Sequence, residues 1–399
     1  MITIATAENA LKNIYLESVI YDINKKTNPF LTMIEENTKT ASGRNARIAI
    51  RCGNSAIGVG TETGALPTGN TDKQIDVSVP LKNLYGTFQI SDKALKSASI
   101  DPNAFSSLLS GEMENLVSAA RNNLTTMLYG NGKQLLAAFN VTDFNSGRTV
   151  IQLNAKNIGN FSNGLSVAIY GANGIKVNSA STTISAVSTS SNTITLSTAL
   201  PANKNDRFYI YRSNDDGSFM NGIDSVFENM PYGLNLDANP ELSPYKYSEG
   251  SSDLKILNEE EVMDFFTRYE EHCQSMPADI ILTSSTVKKA IFESLRNTHS
   301  NISVTELAGG FKGFTFNGIP VYSDIKCKGG TLYALNSNSF AIHQLGDWDW
   351  IKDDNGSFLH QIAGTPTYGA TLTRYCDLIC DKPFLQGKCS NYSANKWKD

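Results

Sequence analysis

The chain has 399 residues, a net charge of −5 and 18% charged residues, whereas soluble domains typically have roughly 25%. This length predicts a large core and two or three folding units. The negative charge argues against a dedicated nucleic-acid reader, which usually has a strongly basic domain, although it permits non-specific contact with nucleic acid.

The sequence carries no targeting or membrane signal. The N-terminus lacks the basic start and the continuous apolar core of a secretory signal. No run approaches the ~18 apolar residues that a membrane span needs. We therefore expect a protein of the cytosol that has no membrane partner.

Residues 6–24 predict an amphipathic helix, because their apolar side chains fall near one helical stripe. The following "KKTNPFL" ends this helix, since Pro29 disfavours α geometry at Asn28. An amphipathic helix followed by a polar, extended stretch is typical of an arm rather than of a core element.

Residues 46–52 and 75–90 are predicted strands that flank a glycine-rich segment, 53–71, with almost no large apolar side chain. Its "GVGTETG" resembles the glycine-rich fingerprint of dinucleotide-binding domains. That fingerprint needs a following helix to bind the pyrophosphate, whereas Pro67 and a strand follow here. We interpret the segment as the tip of a two-stranded ribbon.

The clearest predicted helix begins at the N-cap Asp101 and Pro102 and ends at Gly130. About 28 residues at 1.5 Å each make a helix of ~40 Å, which is long for a globular domain. We call it the spine helix. Apolar residues follow one another at three- and four-residue steps. They are Phe105, Leu108, Leu109, Met113, Leu116, Val117, Ala120, Leu124, Met127 and Leu128.

Residues 140–215 predict a small inserted β-domain, because short β-prone runs alternate with turns of Asn, Gly and Ser. The alternation of apolar residues persists throughout, which argues against a long Ser/Thr-rich linker.

From residue 254 the pattern becomes α/β. A helix opens with Asn258 and Glu261 in an arrangement that resembles a capping box. "FTFNGIPVYSD" predicts a hairpin that turns at Asn317-Gly318, and "TPTYGATLTRYCDLICDKPF" predicts a long returning strand. The helix is expected to bury one stripe, formed by Val262, Phe265, Phe266 and Tyr269.

No pattern of catalytic or ligand-binding residues appears. The sequence has no GxSxG elbow and no Walker P-loop, and the acidic run Glu259–Glu261 complements the dipole at a helix start. None of the histidines lies in a ligand spacing such as HExxH, so we interpret each as satisfied or solvated. These histidines are His272, His299, His343 and His360. We predict that the protein is not an enzyme and has no catalytic, cofactor-binding or metal site.

The six cysteines are widely scattered in a chain predicted to be cytosolic, so we expect free thiols. Cys376 and Cys380 look like half of a metal site. On a strand, however, they would lie ~13 Å apart at 3.3 Å per residue, too far for one zinc ion to bridge.

In their order, these elements resemble the major capsid proteins of tailed bacteriophages, which have the Hong Kong 97 fold. The motifs that carry the resemblance are "TNPFL", "GTETGALP", "VPLKNLYGTFQISDKAL", "FMNGIDSVFEN" and "FTFNGIPVYSD" followed by "GTLYALNSNSFAI". The resemblance implies an α+β fold with an N-terminal arm, an extended β-hairpin loop, a peripheral domain with a long spine helix, an axial α/β domain and an inserted small β-domain.

The implied boundaries follow the chain. They are 1–45 for the N-terminal arm, 46–90 for the extended loop, 91–139 for the peripheral domain with the spine helix, 140–215 for the inserted β-domain, 216–355 for the axial domain, and 356–399 for the return strand of the peripheral domain and the C-terminal tail.

The resemblance implies a structural major capsid protein that self-assembles into pentamers and hexamers of an icosahedral shell around double-stranded DNA. Its implied location is the virion capsid, after assembly in the cytoplasm of a bacterial host. The implied partners are other copies of the chain, a portal, and packaged DNA held by non-specific contacts.

Two departures from the founding member of the family bear on assembly. Its long N-terminal scaffolding segment has no counterpart before the arm, which begins almost at Met1, so we expect either a separate scaffolding protein or a chain that is already the mature form. Its crosslink between a lysine of the loop and an asparagine cannot be matched, because Lys73 has no recognisable asparagine partner or catalytic glutamate. We therefore expect shell strength to come from buried area and interlocking arms.

The resemblance implies that the extended loop lies across a neighbouring subunit and that its strands become ordered when they bury there. Glycines permit positive φ and close backbone approach at such a contact, and they let identical chains adopt different loop angles. The implied contact residues are Gly58, Gly60, Gly64, Leu66 and Pro67, and the spine helix contributes Phe105, Leu109, Met113, Leu116 and Leu124.

Three alternatives remain open from the sequence. An encapsulin-type nanocompartment would keep the fold and change the cargo. A β-rich surface or tail-fibre protein could bind carbohydrate through 140–215, although the spine helix and the α/β region do not fit it. An enzyme that uses one of the cysteines is the third alternative.

Overall fold

The structure is a computed structural model. It describes residues 16–25, 28–52, 73–93, 102–132, 135–145, 147–153, 158–171, 177–178, 182–201, 207–212, 219–248, 259–273, 278–298, 304–307, 311–324, 326–327, 330–353 and 357–390.

The helices within these ranges are α1 (Leu16–Lys25), α2 (Pro29–Met33), α3 (Pro102–Leu128), α4 (Ile223–Val226), α5 (Glu259–Cys273) and α6 (Ser285–Thr298). The strands are β1 (Glu35–Asn37), β2 (Ala41–Ser42), β3 (Asn45–Cys52), β4 (Lys73–Pro80), β5 (Lys82–Ser91), β6 (Leu135–Asn140), β7 (Val150–Gln152), β8 (Ser166–Gly171), β9 (Thr182–Ser188), β10 (Thr193–Leu196), β11 (Arg207–Arg212), β12 (Tyr245–Ser248), β13 (Ile280–Thr283), β14 (Val304–Leu307), β15 (Phe311–Phe316), β16 (Ile319–Ser323), β17 (Leu332–Leu335), β18 (Phe340–Gln344), β19 (Asp349–Trp350), β20 (His360–Gln361), β21 (Thr367–Cys380) and β22 (Gly387–Ser390).

The chain divides into two compact units. The first combines residues 1–129 with 222–399, and the second is the continuous segment 130–221. The second unit therefore includes β6, of which residues 135–139 fall in the segment 91–139 that is predicted as part of the peripheral domain. The reason is that β6 pairs with β11 along its length and so closes the sheet of the second unit.

The first sheet of the larger unit is built around β21, the predicted return strand. β21 pairs antiparallel with β18, β19 and β20 along one side and with β5 along the other, and β1 adds parallel to β18. The predicted spine helix is confirmed as α3 and packs against β5. Gly86 of β5 allows this close approach, since a Cβ there would lie 2.9 Å from Leu116 Cδ1.

The predicted strand 75–90 is wrong as a single element. It is broken at Leu81, where β4 ends with Pro80 and β5 begins. β4 pairs with β3 in the ribbon, whereas β5 leaves the ribbon and pairs with β21 from Lys82 to Ser91. Proline has no N–H to donate to a ladder, so it is typical of strand ends and edges. Residues 82–90 thus lie in the sheet that packs against α3.

The second sheet has the order β12-β22-β17-β13-β16-β15-β14. α5 packs its predicted apolar stripe into the core of this sheet, where Val262, Phe265, Phe266 and Tyr269 are at most 1% exposed. The predicted hairpin is also confirmed. Asn317 and Gly318 have φ values of 49° and 81° between β15 and β16, which is the geometry of a two-residue hairpin turn.

The base of the ribbon, formed by β2, β3 and β4, packs onto its own chain. Ala46, Ile48 and Ile50 of β3 are buried together with Val77 and Val79 of β4. The surface that packs with them includes Leu234, Leu236 and Leu242 of residues 231–242 and Ile379 of β21. The expectation that these strands need a neighbouring subunit to bury their apolar face is therefore wrong for the described part of the ribbon.

The segment after α1 is also more compact than expected. Pro29 does not open an extended stretch but starts α2, with Asn28 as its N-cap and Asn28 Oδ1 accepting a hydrogen bond from the Phe30 N–H at 2.8 Å. Proline is favoured at a first helical position because its missing N–H is not needed there. Phe30 is fully buried against Phe340, with ring centroids 5.1 Å apart. The residues around α2 thus belong to the core rather than to a detached arm.

The second unit is a six-stranded antiparallel sheet with the order β6-β11-β8-β9-β10-β7. It has a hydrophobic core of its own, in which Ile151, Val167, Ile169, Ile194 and Ile210 have no exposed surface.

Candidate assembly surfaces

The loop residues predicted to contact a neighbouring subunit, Gly58, Gly60, Gly64, Leu66 and Pro67, lie outside the described residues. The ribbon that leads to them presents a polar outer face. Arg47, Gln74, Asp76 and Ser78 are exposed on it, opposite the apolar face that packs on the chain. The described ribbon thus combines one buried face with one charged and polar face.

The predicted spine residues divide into two groups. Met113, Leu116 and Leu124 are buried, with 3%, 7% and 6% exposure. Phe105 and Leu109 lie within the backbone of α3, but their side chains are outside the described part of the structure.

Strand β5 has two different faces. Leu84, Phe88 and Ile90 are buried on the face toward α3. The opposite face is exposed and uncharged, and it includes Tyr85 with 58% exposure. Tyr85 lies edge-on to Tyr375 of β21, with ring centroids 6.4 Å apart. Sequence alternation predicts such a face, but not that β21 is the partner.

A buried arginine links the N-terminal segment to the sheet. Arg374 of β21 is 3% exposed and donates from Nε to Gln344 Oε1 at 2.7 Å and from Nη1 to Asn24 Oδ1 at 2.9 Å. Its Nη2 lies 3.6 Å from Glu36 Oε2, and its Nε lies 3.9 Å from Asp347 Oδ1. One side chain thus holds α1, β1 and β18 to β21.

This cluster is not among the features predicted from the sequence. A signal was present, because a charged residue in the middle of the apolar strand "TLTRYCDLIC" must find partners when it is buried. The identity of the partners had no local signal.

Asn28 forms a second polar link. Beyond capping α2, it donates from Nδ2 to the Tyr129 hydroxyl at 3.2 Å and to the Asp324 carboxylate. Burial, and then the nearby Asp324, raise the pKa of Tyr129 well above its ordinary value. Burial likewise raises the pKa of Asp324. The end of the spine helix, α2 and the end of β16 are joined at this residue.

A third link lies beside the second sheet. Asp224 Oδ1 accepts hydrogen bonds from the Tyr333 hydroxyl and from Lys388 Nζ, both at 2.7 Å. The Lys388 ammonium also lies over the rings of Phe227 and Tyr333, at 5.7 and 5.5 Å from their centroids. Burial, and then Asp224, raise the pKa of Tyr333 well above its ordinary value.

The cysteine thiols within the described residues are buried. Cys273, Cys327, Cys376, Cys380 and Cys389 are buried free thiols. Burial raises the pKa of Cys376 to about 12 and that of Cys273 to about 11, so neither is a ready thiolate nucleophile at neutral pH.

The described histidines also have partners. His343 contacts the Thr40 hydroxyl through Nδ1, and burial lowers its pKa. The His272 ring nitrogen Nε2 lies 2.9 Å from the Ser243 carbonyl, and His360 Nδ1 lies 2.7 Å from Asp353 Oδ2. His299 is outside the described residues.

Within the part of the chain that the structure describes, no three or more His, Cys, Asp or Glu side chains come together in a way that could hold a metal ion. In that same part, no helix is both long enough and apolar enough to cross a membrane.

No protein-family model and no curated protein matches the sequence. Solved structures do match. A capsid chain of cyanophage A-1(L) is 12% identical, and the similarity covers 92% of this chain and 93% of that chain with a TM-score of 0.55. The SrpI encapsulin of Synechococcus elongatus PCC 7942 is 7% identical over 94% and 91% of the two chains, with a TM-score of 0.45. A capsid chain of a native GTA particle is 9% identical over 92% and 90%, with a TM-score of 0.46.

The similarity to the cyanophage protein extends over more than nine-tenths of both chains, so it covers the whole α+β arrangement rather than one motif. At this low identity it shows the fold. This chain has the fold of the tailed-bacteriophage capsid proteins.

Proposed function

We propose that this protein is a structural, non-enzymatic subunit of a capsid shell, and that copies of it assemble into pentamers and hexamers of an icosahedral shell around double-stranded DNA. The observation that carries the proposal is the match over 92% of this chain and 93% of the cyanophage capsid chain. The buried, high-pKa thiols and the partnered histidines support a structural role.

Within this proposal, the parts of the chain take the roles that the resemblance implies. Residues 1–45 take the place of the arm, although the part around α2 packs into the core of its own subunit. The ribbon is the extended loop that reaches a neighbouring subunit through residues 53–72. α3 and the sheet around β21 form the peripheral domain. The sheet with α5 and α6 forms the axial domain, and the second unit is an insertion. The proposed partners are further copies, a separate scaffolding protein, a portal and DNA, and the proposed location is the virion, after assembly in the bacterial cytoplasm.

The polar outer face of the ribbon and its self-packed inner face refine the role of the loop. Because Leu234, Leu236 and Leu242 already cover β3 and β4, the ribbon has a fixed base on its own subunit. Because β3 and β4 are already held in place, less of their conformational entropy is lost when the ribbon binds a neighbour.

Negative-stain microscopy of the purified protein tests the proposal. We expect closed polyhedra, tubes or rings of capsomers. A lone compact particle in the analytical ultracentrifuge, under every condition of salt, pH and crowding, would overturn the proposal. Shells that enclose a protein cargo and have neither a portal vertex nor a genome would instead identify an encapsulin-type compartment.

A deletion tests the loop separately. Removal of residues 58–69 should leave a soluble, folded subunit that forms no stable shells, because the base strands keep their contacts with residues 231–242. Replacement of the same residues by a Gly-Ser linker of equal length is the matched control for chain length. Normal shells from both variants would contradict the assignment of the loop.

A further inference from the structure

Strand β5 lies at an edge of the sheet around β21. It pairs with β21 along one side, and no described strand pairs with its other side. In an antiparallel ladder, the residues of an edge strand direct alternate N–H and C=O groups away from the sheet, where they can accept another strand.

This edge lacks the devices that normally prevent strand addition. Such devices are short length, charged side chains, proline and bulges. Residues 83–91, "NLYGTFQIS", contain no charge and no proline. The ladder with β21 runs from Lys82 opposite Cys376 to Ser91 opposite Thr367 without a register shift. A long, regular and uncharged edge is typical of a strand that is covered by another strand in its working state.

The two faces of β5 restrict which strand can be added. The added strand must place apolar side chains beside Leu84, Phe88 and Ile90 and polar ones beside Thr87 and Gln89. A slip by one residue would exchange the two faces, so only registers that keep the alternation are allowed.

A second copy of β5 meets these requirements when the two strands run antiparallel with Thr87 opposite Thr87. Leu84 then faces Ile90, and Gly86 faces Phe88, so the missing side chain of glycine leaves room for the ring. All four lie on the inner face of the sheet.

The charges at the ends of the strand favour the same register. With Thr87 opposite Thr87, Lys82 of each copy faces Asp92 of the other. The Asp92 N–H donates to the Pro366 carbonyl at 2.9 Å, so the ladder with β21 extends to this residue. A shift by two residues in either direction would place Lys82 opposite Ile90 or Asp92 opposite Leu84.

We propose that β5 pairs with β5 of a second copy about a two-fold axis at Thr87, which joins the two sheets around β21 into one. Within the shell, this contact rests on the proposed function, and it specifies one of the surfaces through which subunits meet. Strand addition of this kind derives its affinity from main-chain hydrogen bonds and its specificity from alternate side chains.

Disulfide trapping with Thr87→Cys in the full chain tests the register. Directly opposite residues of antiparallel strands have Cα atoms ~4.5–5.5 Å apart, which is within the range of about 4.4–6.8 Å for disulfides. We expect a covalent dimer on non-reducing gels after mild oxidation. Thr371→Cys is the matched control, because Thr371 pairs with Thr87 on the same face and its copies would lie three strands, ~14 Å, apart. Wild-type protein gives the background from the native thiols.

A charged side chain at position 87 tests the contact without a covalent crosslink. Thr87→Lys places two ammonium groups opposite each other and should reduce association through this edge by up to about fivefold. Thr371→Lys adds the same charge one strand inward and should associate like the wild type. Both side chains point to the outer face, so neither change disturbs the core under α3.

The proposal is overturned if the Thr87→Cys protein forms no more covalent dimer than the Thr371→Cys protein. That result overturns it even if Thr87→Lys prevents assembly, because a different segment would then occupy the edge. If both the wild type and the Thr87→Cys protein form shells, but Thr87→Cys does not crosslink in them, only this inference fails. If Thr87→Cys crosslinks in solution while no shells form, the pairing is supported and the proposed shell function fails.

Discussion

Arg374 of β21 donates a hydrogen bond to Asn24 of α1 over 2.9 Å, although the two residues are 350 positions apart in the sequence. The same guanidinium lies near Glu36 and Asp347, so it neutralises carboxylates of two other segments. The N-terminal segment is thus fixed to the sheet by polar contacts in addition to the apolar contact of Phe30.

Arg374→Met should destabilise the larger unit, because Glu36 and Asp347 lose their shared cation while they remain partly buried. We expect the free energy of unfolding in urea to fall by about 2–4 kcal/mol. Arg121→Met is the matched control, since Arg121 of α3 forms an ion pair with Asp22 of α1 at 3.3 Å, in which the side chains are 33% and 29% exposed. That change should cost about 1 kcal/mol or less. If both variants lose the same free energy of unfolding, the buried Arg374 cluster stabilises the protein no more than the Arg121–Asp22 ion pair does.

Gly387→Ala should destabilise the core beneath α5. A Cβ at position 387 would lie 2.6 Å from Tyr269 Cδ2, and the ring cannot move freely, because it is fully buried and its hydroxyl donates to the Leu385 carbonyl at 2.7 Å. Overpacking of this kind typically costs about 1–3 kcal/mol. The measurement is the urea midpoint of the full chain. Gly346→Ala is the control, since a Cβ there meets nothing within 4 Å; a midpoint for Gly387→Ala that equals this control would contradict the argument.

The sequence predicted those elements whose signals come from residues adjacent in the chain. α3 follows from apolar residues at helical spacing, and the hairpin follows from Asn317-Gly318, because each signal depends on neighbouring residues only. The break between β4 and β5 had a local sign in Pro80, but the choice of β21 as the new partner depends on residues far along the chain.

The same dependence on residues far along the chain explains the two packing predictions that were wrong. The alternation in β3 and β4 predicts one apolar face, yet nothing in those strands indicates whether residues 231–242 or another subunit covers it. Likewise, Pro29 is compatible with an extended stretch and with a first helical position, and only the burial of Phe30 against Phe340 decides between them.

Residues 130–221 should fold when they are produced alone. Their core is contained within the segment, and the pairing of β6 with β11 brings its first and last strands together. We expect a β-type circular dichroism spectrum and one cooperative urea transition, as for most small single domains.

Ile210→Ala within this isolated segment tests whether the segment has a packed hydrophobic core. Ile210 has no exposed surface, so truncation should lower the free energy of unfolding by about 2–5 kcal/mol. A segment without a cooperative transition, or one that is insensitive to Ile210→Ala, would show that it depends on the rest of the chain.

The buried thiol of Cys376 should make stability fall at alkaline pH. Burial raises its pKa from 9.0 to about 12 in the folded protein, whereas the unfolded chain titrates near the ordinary value. Above pH 9 the unfolded state therefore loses a proton that the folded state keeps, and stability decreases as the pH rises until the folded thiol also ionises. One such group contributes a slope of up to about 1.4 kcal/mol per pH unit.

Cys376→Ala should remove this contribution, so the fall in the free energy of unfolding between pH 9 and 12 becomes shallower than in the wild type. Cys273→Ala is the comparison variant. Burial raises the pKa of Cys273 to about 11, so this change should also make the fall in stability above pH 9 shallower. Urea unfolding at a series of pH values measures both slopes, and a Cys376→Ala curve parallel to the wild type from pH 9 onward would mean that this thiol ionises as readily in the folded protein as in the unfolded chain.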